Sequence, residues 1–384
     1  MQELFQGVID LGAHWWQYLL MYLIGGILIY LAIKKDYEPM LLLPIGFGAI
    51  LVNLPLRTVW EFLDGTGTHM EPGVLQHFFN VGIMTEVFPV LIFVGIGAMI
   101  DFTPLLQNPK MIFFGAAAQF GIFFTVLAAL LFGFDLKEAA SIGIIGAADG
   151  PTSIFVASRF APGLLGPITV AAYSYMSLVP IIQPPVIKAL TTKKERMIRM
   201  ENRDVKIPRI VLILFPILIT VISGIIAPIS VPLIGLLMFG NLLRECLVLE
   251  RLSKAAQNEL ASLVTLLLGI TIGASMHYSA FLTIKTVAIM ALGLVAFIFD
   301  TAGGVLFAKL LNLFSKTKIN PMVGAAGISA FPMSARIVQR LAKEEDPYNF
   351  ILMPAVSANV SGQLGSVVAG GMVLALVPWL LKLI

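Results

Sequence analysis

The stretch "SIGIIGAADGPTSIFVAS", residues 141–158, is apolar enough to enter a lipid bilayer, yet a carboxylate and helix-breaking residues lie at its centre. Gly146 and Gly150 flank Asp149, and Pro151 follows. Proline removes a backbone donor and clashes inside a helix, and glycine weakens a helix. The stretch therefore predicts a broken or re-entrant segment of a membrane protein.

The composition assigns the whole chain to the membrane class. Hydrophobic residues make up 58% of the 384 residues and charged residues 12%, whereas soluble domains carry about 25% charged residues. The first residues lack a basic region, so we expect no cleavable signal. We predict a multi-pass protein of the bacterial cell membrane without a nucleic-acid partner. Its apolar segments are predicted near residues 17–33, 40–56, 80–100, 111–133, 139–158, 167–187, 209–227, 229–243, 260–280, 285–313, 319–338 and 348–382.

Four short sequence matches occur in the same order on both sides of a basic loop. "EPMLLLPIGFG" (38–48) resembles "SVPLIGLLMFG" (230–240), and "IGAM" (96–99) resembles "IGAS" (272–275). "GAADGPTSIFVASR" (146–159) aligns with "GAAGISAFPMSAR" (324–336), and "SYMS" (174–177) with "ANVS" (358–361). We predict a repeat at 1–190, a basic loop at 191–208 and a second repeat at 209–384.

The charges of the loops predict how the two halves are oriented. The basic stretches at 34–39, 188–209 and 244–258 are expected in the cytoplasm by the positive-inside rule. Five apolar segments lie between the first two stretches, although two loops on one side require an even number of crossings. One segment therefore does not cross, and 139–158 is the best candidate. The predicted fold is all-α, a polytopic membrane protein of two inverted repeats with broken or re-entrant helices, an architecture typical of secondary transporters.

Polar residues within the apolar segments are the candidates for function, because an ionisable group in hydrocarbon costs several kcal/mol by most estimates. Asp149 is predicted to bind a cation or a proton; alternatively, it caps a half-helix. Arg336 either binds an anionic substrate or extends to the cytoplasmic interface. Glu86 and Asp300 either belong to an ion path or pair with a neighbouring helix. Further candidates are Thr152, Ser153, Tyr173, Tyr175, Asn320, Ser329, Ser334, Asn359, Ser361 and Ser366.

Two of these candidates occupy matching places in the two halves. Tyr175 and Asn359 lie in "SYMS" and "ANVS", so we expect them to face one another across a pseudo-twofold axis. Glycines around Asn359 are expected to loosen its helix. Residues 146–151 and 359–366 are then predicted to be non-helical at their centres and close together.

"GAADGPTSIF", "SYMS" and "NPMVGAAGISAFPMSAR" together resemble the β subunit of the sodium-pumping biotin-dependent decarboxylases of oxaloacetate, methylmalonyl-CoA, glutaconyl-CoA and malonate. The resemblance covers most of the chain. It implies a membrane subunit that decarboxylates carboxybiotin and exports Na⁺ while a proton is consumed. On the matching positions it implies catalytic roles for Asp149, Tyr175 and Arg336, carboxybiotin binding at Arg336, Na⁺ ligation by Asp149, Asn320, Ser329 and Asn359, and structural roles for Gly146, Gly150, Pro151 and Gly324.

The resemblance also implies partners. The chain has no "MKM" biotin-attachment sequence, so carboxybiotin is expected on a separate biotin carrier protein, loaded by a carboxyltransferase subunit. A small membrane subunit and a homo-oligomer are further expectations. From the residues alone, an Na⁺/H⁺ antiporter or an Na⁺-coupled solute symporter is the alternative function.

Overall fold

The computed structural model describes residues 6–35, 39–63, 70–200, 205–315 and 317–382, and these residues are helical almost throughout. Residues 36–38 and 201–204 of the predicted basic loops, and residues 1–5 that bear on the expected absence of a signal, lie outside the described residues. Within the described part, the one departure from the all-α prediction is a hairpin of Glu61–Leu63 (β1) paired antiparallel with Met70–Pro72 (β2).

Apart from the first, which has 30 residues, the helices before the basic loop have 14 residues or fewer. They are α1 (Gln6–Lys35), α2 (Pro39–Val52), α3 (Val74–Phe78), α4 (Val87–Met99), α5 (Thr103–Gln107), α6 (Ile112–Ala118), α7 (Phe120–Leu131), α8 (Leu136–Gly143), α9 (Gly150–Phe160), α10 (Leu165–Ser177) and α11 (Val179–Leu190).

The basic loop and the second half contain the longest helix of the described chain. They comprise α12 (Lys193–Arg196), α13 (Arg209–Ile226), α14 (Val231–Glu245), α15 (Glu250–Ala255), α16 (Ala261–Ala274), α17 (Tyr278–Phe281), α18 (Ile284–Phe314), α19 (Met322–Ala325), α20 (Met333–Glu345) and α21 (Leu352–Leu380).

Length and composition allow five of the described stretches to cross a bilayer as single spans. Two bent helix pairs raise the number to seven, which agrees with the prediction of a polytopic protein with broken helices. The single spans are His14–Lys35, Pro109–Leu131, Glu250–Ala274, Ile284–Phe314 and Leu352–Leu380, and the bent pairs are Val74–Ile83 with Val87–Met99 (62°) and Pro162–Met176 with Val179–Leu190 (67°).

Glycines allow helices of the two halves to pack backbone against backbone. A Cβ on Gly48 of α2 would clash with the Ile270 carbonyl of α16, and one on Gly273 of α16 would clash with the Ile45 carbonyl of α2. The same reciprocal arrangement joins Gly97 of α4 to α14. Small residues are typical of such close approaches within membranes.

These close approaches follow the sequence matches. Gly48 and Gly240 end the first matched pair of segments, and Gly97 and Gly273 occupy equivalent places in the second. If the matched segments of the two halves are exchanged, Gly48 corresponds to Gly240, and Gly273 corresponds to Gly97. The contact of α2 with α16 then corresponds to the contact of α14 with α4. A twofold relation between the halves predicts this reciprocity.

Residues 136–160 form a helical hairpin, here called hairpin 1. Contacts at both of its ends lie far from the basic loops. Glu138 at its start binds Lys285 (2.9 Å), in the first turn of α18. Lys309, 24 residues further along α18, binds the Leu190 carbonyl (3.0 Å) at the basic loop. At 1.5 Å per residue, about 36 Å separates these two ends. Hairpin 1 therefore begins on the face opposite to the loop.

The other end of hairpin 1 is fixed by an ion pair. Arg159 of α9 binds both carboxylate oxygens of Glu86 (2.5 and 2.9 Å), just before α4. At the far end of α4, Arg244 of the basic stretch 244–258 donates to the Met99 carbonyl (3.2 Å). Glu86 thus pairs with a neighbouring helix, the second of the alternatives stated above. Both ends of hairpin 1 face away from the basic stretches, which agrees with a re-entrant segment.

Residues 320–345, here called hairpin 2, begin and end at the basic loop. The Asn320 side chain donates to the carbonyls of Arg196 (2.9 Å) and Ile198 (2.8 Å). At the other end, Glu345 binds the Arg196 guanidinium (2.7 Å). The segment predicted at 319–338 therefore turns back within the protein, and the two hairpins open toward opposite faces.

Further ion pairs hold the basic loop on the second half. Glu195 binds Lys309 (3.2 Å) and Asp346 binds Arg199 (2.8 Å). Partial burial alone would raise the pKa of Glu195, but hydrogen bonds from Thr192 and Lys309 outweigh it and lower the pKa. The hydrogen bond from Arg199 lowers the pKa of Asp346. Both carboxylates are therefore ionised at neutral pH, and the loop is fixed electrostatically.

The prediction of a non-helical centre at residues 359–366 is wrong. Helix α21 is continuous from Leu352 to Leu380, and the break of the second half lies at 326–332 instead. The glycines of α21 serve close packing, because a Cβ on Gly362 would clash with the Gly327 carbonyl and one on Gly371 would clash with Ser230.

The reciprocal glycine contacts predict a stability effect. Gly97→Ala should destabilise the protein by about 1–3 kcal/mol, because the new methyl group meets the Leu237 backbone, which cannot move independently of α14. Thermal unfolding in mild detergent measures this change. Gly26→Ala is the matched control, since nothing lies within 4 Å of its Cβ position. Equal unfolding midpoints for the two variants would contradict the packing argument.

Candidate functional site

The tips of the two hairpins meet in the protein interior. In hairpin 1, Ile144–Ala147 forms a 3₁₀ turn, and Ala148 takes a left-handed conformation (φ 52°) before α9 begins. In hairpin 2, residues 326–332 separate α19 from α20. The Ser329 amide donates to the Ala147 carbonyl (3.3 Å). A backbone hydrogen bond therefore joins the two breaks directly.

Asp149 lies at this junction and is 4% exposed. It caps α9, which is one of the two alternatives predicted from the sequence. Its Oδ1 atom accepts a hydrogen bond from the Thr152 amide (3.4 Å), and its Oδ2 atom accepts one from the Thr152 hydroxyl (2.7 Å). The Ser366 hydroxyl of α21 also donates to Oδ2 (2.8 Å). Oδ1 thus has only a long hydrogen bond, which leaves it available to a ligand.

A pair of hydroxyl groups connects Asp149 to the second break. Ser366 Oγ lies 3.0 Å from Ser329 Oγ. Both serines are buried, at 0% and 2% exposure. One carboxylate, two hydroxyls and the carbonyls of two interrupted helices are thus brought together, a set of oxygens that hard monovalent cations favour.

Two amides of α21 hold the break of hairpin 2. The Asn359 side chain donates to the Ile328 carbonyl (2.7 Å), and the Gln363 side chain donates to the Ser329 carbonyl. The Asn359 Oδ1 atom is buried without a hydrogen-bond partner among the described residues. Because buried polar atoms are normally satisfied, this oxygen is a candidate ligand atom.

Sequence reasoning did not select Gln363, although the signal was present. Asn359, Gln363 and Ser366 are spaced i, i+4 and i+7, so they share one face of α21. A helical spacing was not considered there because residues 359–366 were predicted to be non-helical.

A cavity of about 350 Å³ extends from Asp149. Its walls are mostly apolar, and several lining residues lie at the ends of α2, α4 and α16 that adjoin the basic stretches. The cavity therefore faces the side of the basic loops. It is lined by Leu41, Ile92, Ile96, Met99, Ala148, Asp149, Gly150, Pro151, Tyr173, Met176, Ala261, Thr265, Ser329, Phe331, Pro332, Met333 and Gln363.

Tyr175 does not line this cavity. Its hydroxyl donates to the Met290 carbonyl of α18, and its ring lies against Gly293. The expected facing pair of Tyr175 and Asn359 is therefore not formed. Tyr173 lines the cavity instead, with its ring against Gly150, where a Cβ would clash. Two residues along a helix change the direction of a side chain by about 200°, which explains the difference.

Asn320 and Arg336 also lie away from Asp149. Asn320 uses its amide group to hold the basic loop at the mouth of hairpin 2, so the structure assigns its side chain a structural contact. Arg336 is exposed in a separate open groove along α20. This position agrees with the alternative that the side chain extends to the cytoplasmic interface.

Gly146 and Gly324 allow both hairpins to approach α18. A Cβ on Gly324 would clash with the Gly304 carbonyl, and one on Gly146 would clash with Asp300 Oδ2. Asp300 is 1% exposed, and its Oδ1 accepts from the Ile122 amide (3.2 Å) at the start of α7. Asp300 thus contacts a neighbouring helix, as one alternative held.

Comparison with known proteins identifies the family of the chain. Residues 17–377 match the sequence profile of the family described as "Na+-transporting oxaloacetate decarboxylase beta subunit". The chain is 51% identical to the glutaconyl-CoA decarboxylase subunit beta of Acidaminococcus fermentans, over 94% of each chain. It is 49% identical to the methylmalonyl-CoA decarboxylase subunit beta of Propionigenium modestum, over 93% of this chain and 94% of the relative.

A third relative is the probable oxaloacetate decarboxylase beta chain of Vibrio cholerae, at 44% identity over 94% of this chain and 95% of the relative. Fold and site define the class as a multi-pass membrane protein with a polar centre between two interrupted helices. Within that class, the chain belongs to the family of β subunits of the sodium-transporting decarboxylases. The family resemblance and the membrane location predicted from the sequence are confirmed.

The hydroxyl pair predicts a selective effect on sodium dependence. Ser366→Ala removes the hydroxyl between Asp149 and Ser329, so the Na⁺ concentration for half-maximal activity should rise roughly tenfold, as expected for losing one buried hydrogen-bonding group. Activity measured against Na⁺ in membrane vesicles tests this. Ser361→Ala is the control: Ser361 accepts from the Gly115 amide (3.0 Å), so thermal stability should fall at an unchanged Na⁺ midpoint. An unshifted midpoint in Ser366→Ala would separate this serine from ion binding.

Proposed function

We propose that this chain binds Na⁺ at Asp149 between the two hairpin tips and couples its export to the decarboxylation of carboxybiotin. The observation that carries the proposal is the shared polar junction. A buried carboxylate, two serine hydroxyls and a backbone hydrogen bond join the helix breaks of opposite halves. Family membership supports sodium transport and decarboxylation as the two activities.

Asp149 provides the charge of the proposed Na⁺ site. Its Oδ1 atom, the Ser329 hydroxyl and the unpartnered Asn359 Oδ1 are the proposed ligand atoms. The contacts of Asn320 argue against its direct ligation, so we retain it as a residue that positions hairpin 2.

The same carboxylate is proposed to exchange Na⁺ for a proton. An unpaired charge in this buried place is costly, so the carboxylate is stable either with a bound cation or in the protonated form. Decarboxylation consumes a proton: the N–CO₂⁻ bond of carboxybiotin breaks, CO₂ leaves, and the ring nitrogen takes up H⁺. Loss of the Asp149 proton to that nitrogen leaves a carboxylate that binds Na⁺.

The cavity is proposed to admit the biotin ring. Its apolar walls suit a bicyclic ring, and its volume of about 350 Å³ far exceeds what a single ion needs. Arg336 is proposed to bind the carboxylate group of the incoming carboxybiotin, because it lies three residues after the lining residue Met333 on α20. Tyr173, which lines the cavity, is a better placed proton relay than Tyr175.

The reciprocal glycine contacts and the opposite openings of the hairpins support two inverted repeats, at 1–190 and 209–384, joined by the loop 191–208. In such a repeat the two halves can open the central site to either face in turn. The cavity described above faces the basic side, which we propose to be the cytoplasm.

The proposed reaction requires partners. A biotin carrier protein delivers carboxybiotin, and a carboxyltransferase subunit forms it. A small membrane subunit and a homo-oligomeric membrane assembly are also proposed. Avidin-sensitive Na⁺ uptake into inverted vesicles of the complete complex tests this function. Na⁺ movement without any decarboxylation of carboxybiotin would instead identify a secondary transporter.

The coupling proposal predicts that Asp149→Asn abolishes both activities. The amide preserves the shape of the side chain and one oxygen, but it neither carries a charge nor exchanges a proton. Na⁺ uptake and CO₂ release are measured on the same vesicles, with Asp135→Asn, at the exposed start of α8, as the control. If the Asp149 variant keeps either activity at the wild-type rate, the carboxylate is not the coupling group.

The ligand proposal predicts a graded effect at Asn359. Loss of the side-chain oxygen in Asn359→Ala should cost about 1–3 kcal/mol and raise the Na⁺ midpoint roughly tenfold or more. Asn359→Asp should change the pH dependence of the midpoint, because a second carboxylate competes for protons with Asp149. Na⁺ titrations at two pH values separate these effects. An Na⁺ midpoint equal to that of the wild type in folded Asn359→Ala would exclude the ligand role.

A further inference from the structure

Helix α20 presents a charged face toward the basic side of the protein. Arg336, Arg340 and Lys343 lie at i, i+4 and i+7, so they form one row. Together with Gln339, Glu344 and Leu352 they line an open groove of about 480 Å³. Glu344 is paired with Lys188 (3.2 Å), so the groove has an excess of positive charge.

The cations of this row have no carboxylate partner among the described residues. In contrast, the nearby cations Lys188, Arg196 and Arg199 are each paired with an acid. The Lys343 ammonium nitrogen lies 4.7 Å from the centre of the Phe350 ring, a contact that does not neutralise its charge. The groove is therefore a site of unbalanced positive charge.

Large apolar side chains border the row. Tyr348 is 77% exposed and Phe350 is 62% exposed, and Leu352 and Met353 at the start of α21 are also exposed. Aromatic residues, methionine and arginine are the residue types enriched in protein–protein interfaces. Charged and apolar groups thus form one continuous surface, here called the α20 surface.

The α20 surface leads to the cavity. Helix α20 begins at Met333, which lines the cavity of Asp149, and ends at Glu345, which binds the basic loop. The row of cations therefore extends from the edge of the cavity to the face of the basic loops. The exposed positions of α20 are all charged, which disfavours contact with lipid chains.

We propose that the α20 surface docks the protein that carries carboxybiotin, through an acidic face next to its biotinylated lysine. This inference rests on the proposed function and adds the place and the charge of the docking partner. Docking there brings the biotin arm to the cavity entrance, while Arg340 and Lys343 attract the carrier. An anionic lipid headgroup is the competing occupant of such a surface.

The test compares carrier-bound with free carboxybiotin in vesicles of the complete membrane complex. Arg340→Glu combined with Lys343→Glu should raise the KM for the carrier at least tenfold, because attraction becomes repulsion. Its kcat should be unchanged, and the kinetics with free carboxybiotin should stay within about twofold of wild type. Lys110→Glu with Arg251→Glu is the charge-matched control, since both residues are exposed on the same side outside the groove.

Two further measurements, one with added salt and one without anionic lipid, distinguish a docked carrier from a bound lipid headgroup. Choline chloride, added at constant Na⁺, should raise the carrier KM of the wild type more than that of Arg340→Gln combined with Lys343→Gln. Equal effects on carrier-bound and free carboxybiotin would overturn the proposal, as would an effect that disappears in vesicles without anionic lipid. If the wild type fails to decarboxylate either substrate, the proposed function itself is wrong, a result distinct from failure of docking.

Discussion

The hydrogen bond between the Ser329 amide and the Ala147 carbonyl sets the architecture of this protein. An interrupted membrane helix exposes backbone groups that have no water to bind, so each break needs partners inside the protein. The tip of hairpin 2 supplies a donor to the Ala147 carbonyl, and the Asn359 and Gln363 side chains of α21 supply donors to two carbonyls of hairpin 2. The two breaks therefore need each other, and the polar centre exists only where they meet.

Asp149 has a structural role at this junction, and we propose a chemical role for it as well. The carboxylate caps α9, and a cap normally stabilises a helix by about 1 kcal/mol. A surface residue could provide that stabilisation without the cost of burying an acid. The location of the carboxylate between two helix breaks, beside a cavity, supports the proposal that it binds an exchangeable ligand in addition to capping the helix. In this proposal, the oxygen atoms that cap α9 also bind the ion.

Much of the architecture could be predicted from sequence because bilayer crossing, helix breaking and loop charge are local properties. Asp149 and the break around it follow from "GAADGP". The location of the second break did not, because glycine has two uses in membrane helices. At Gly362 it permits close packing of an intact helix, whereas the turn at 326–332 interrupts the chain. Only the neighbouring backbone in the folded protein distinguishes a glycine that permits close packing from one that interrupts a helix.

The direction of individual side chains was the other limit of sequence reasoning. Tyr173 and Tyr175 differ by two positions, and only helix orientation decides which one reaches the cavity. Asn320 resembled a ligand because an amide in an apolar segment needs a partner, and its partner proved to be the backbone of the basic loop. Arg336 similarly lies in the groove of α20. Asn320 and Glu345 thus fix the two ends of hairpin 2 to the basic loop. Helix α20 joins the tip of hairpin 2 to the surface where we propose that the carrier docks, so we propose that substrate delivery and the ion site are linked through this helix.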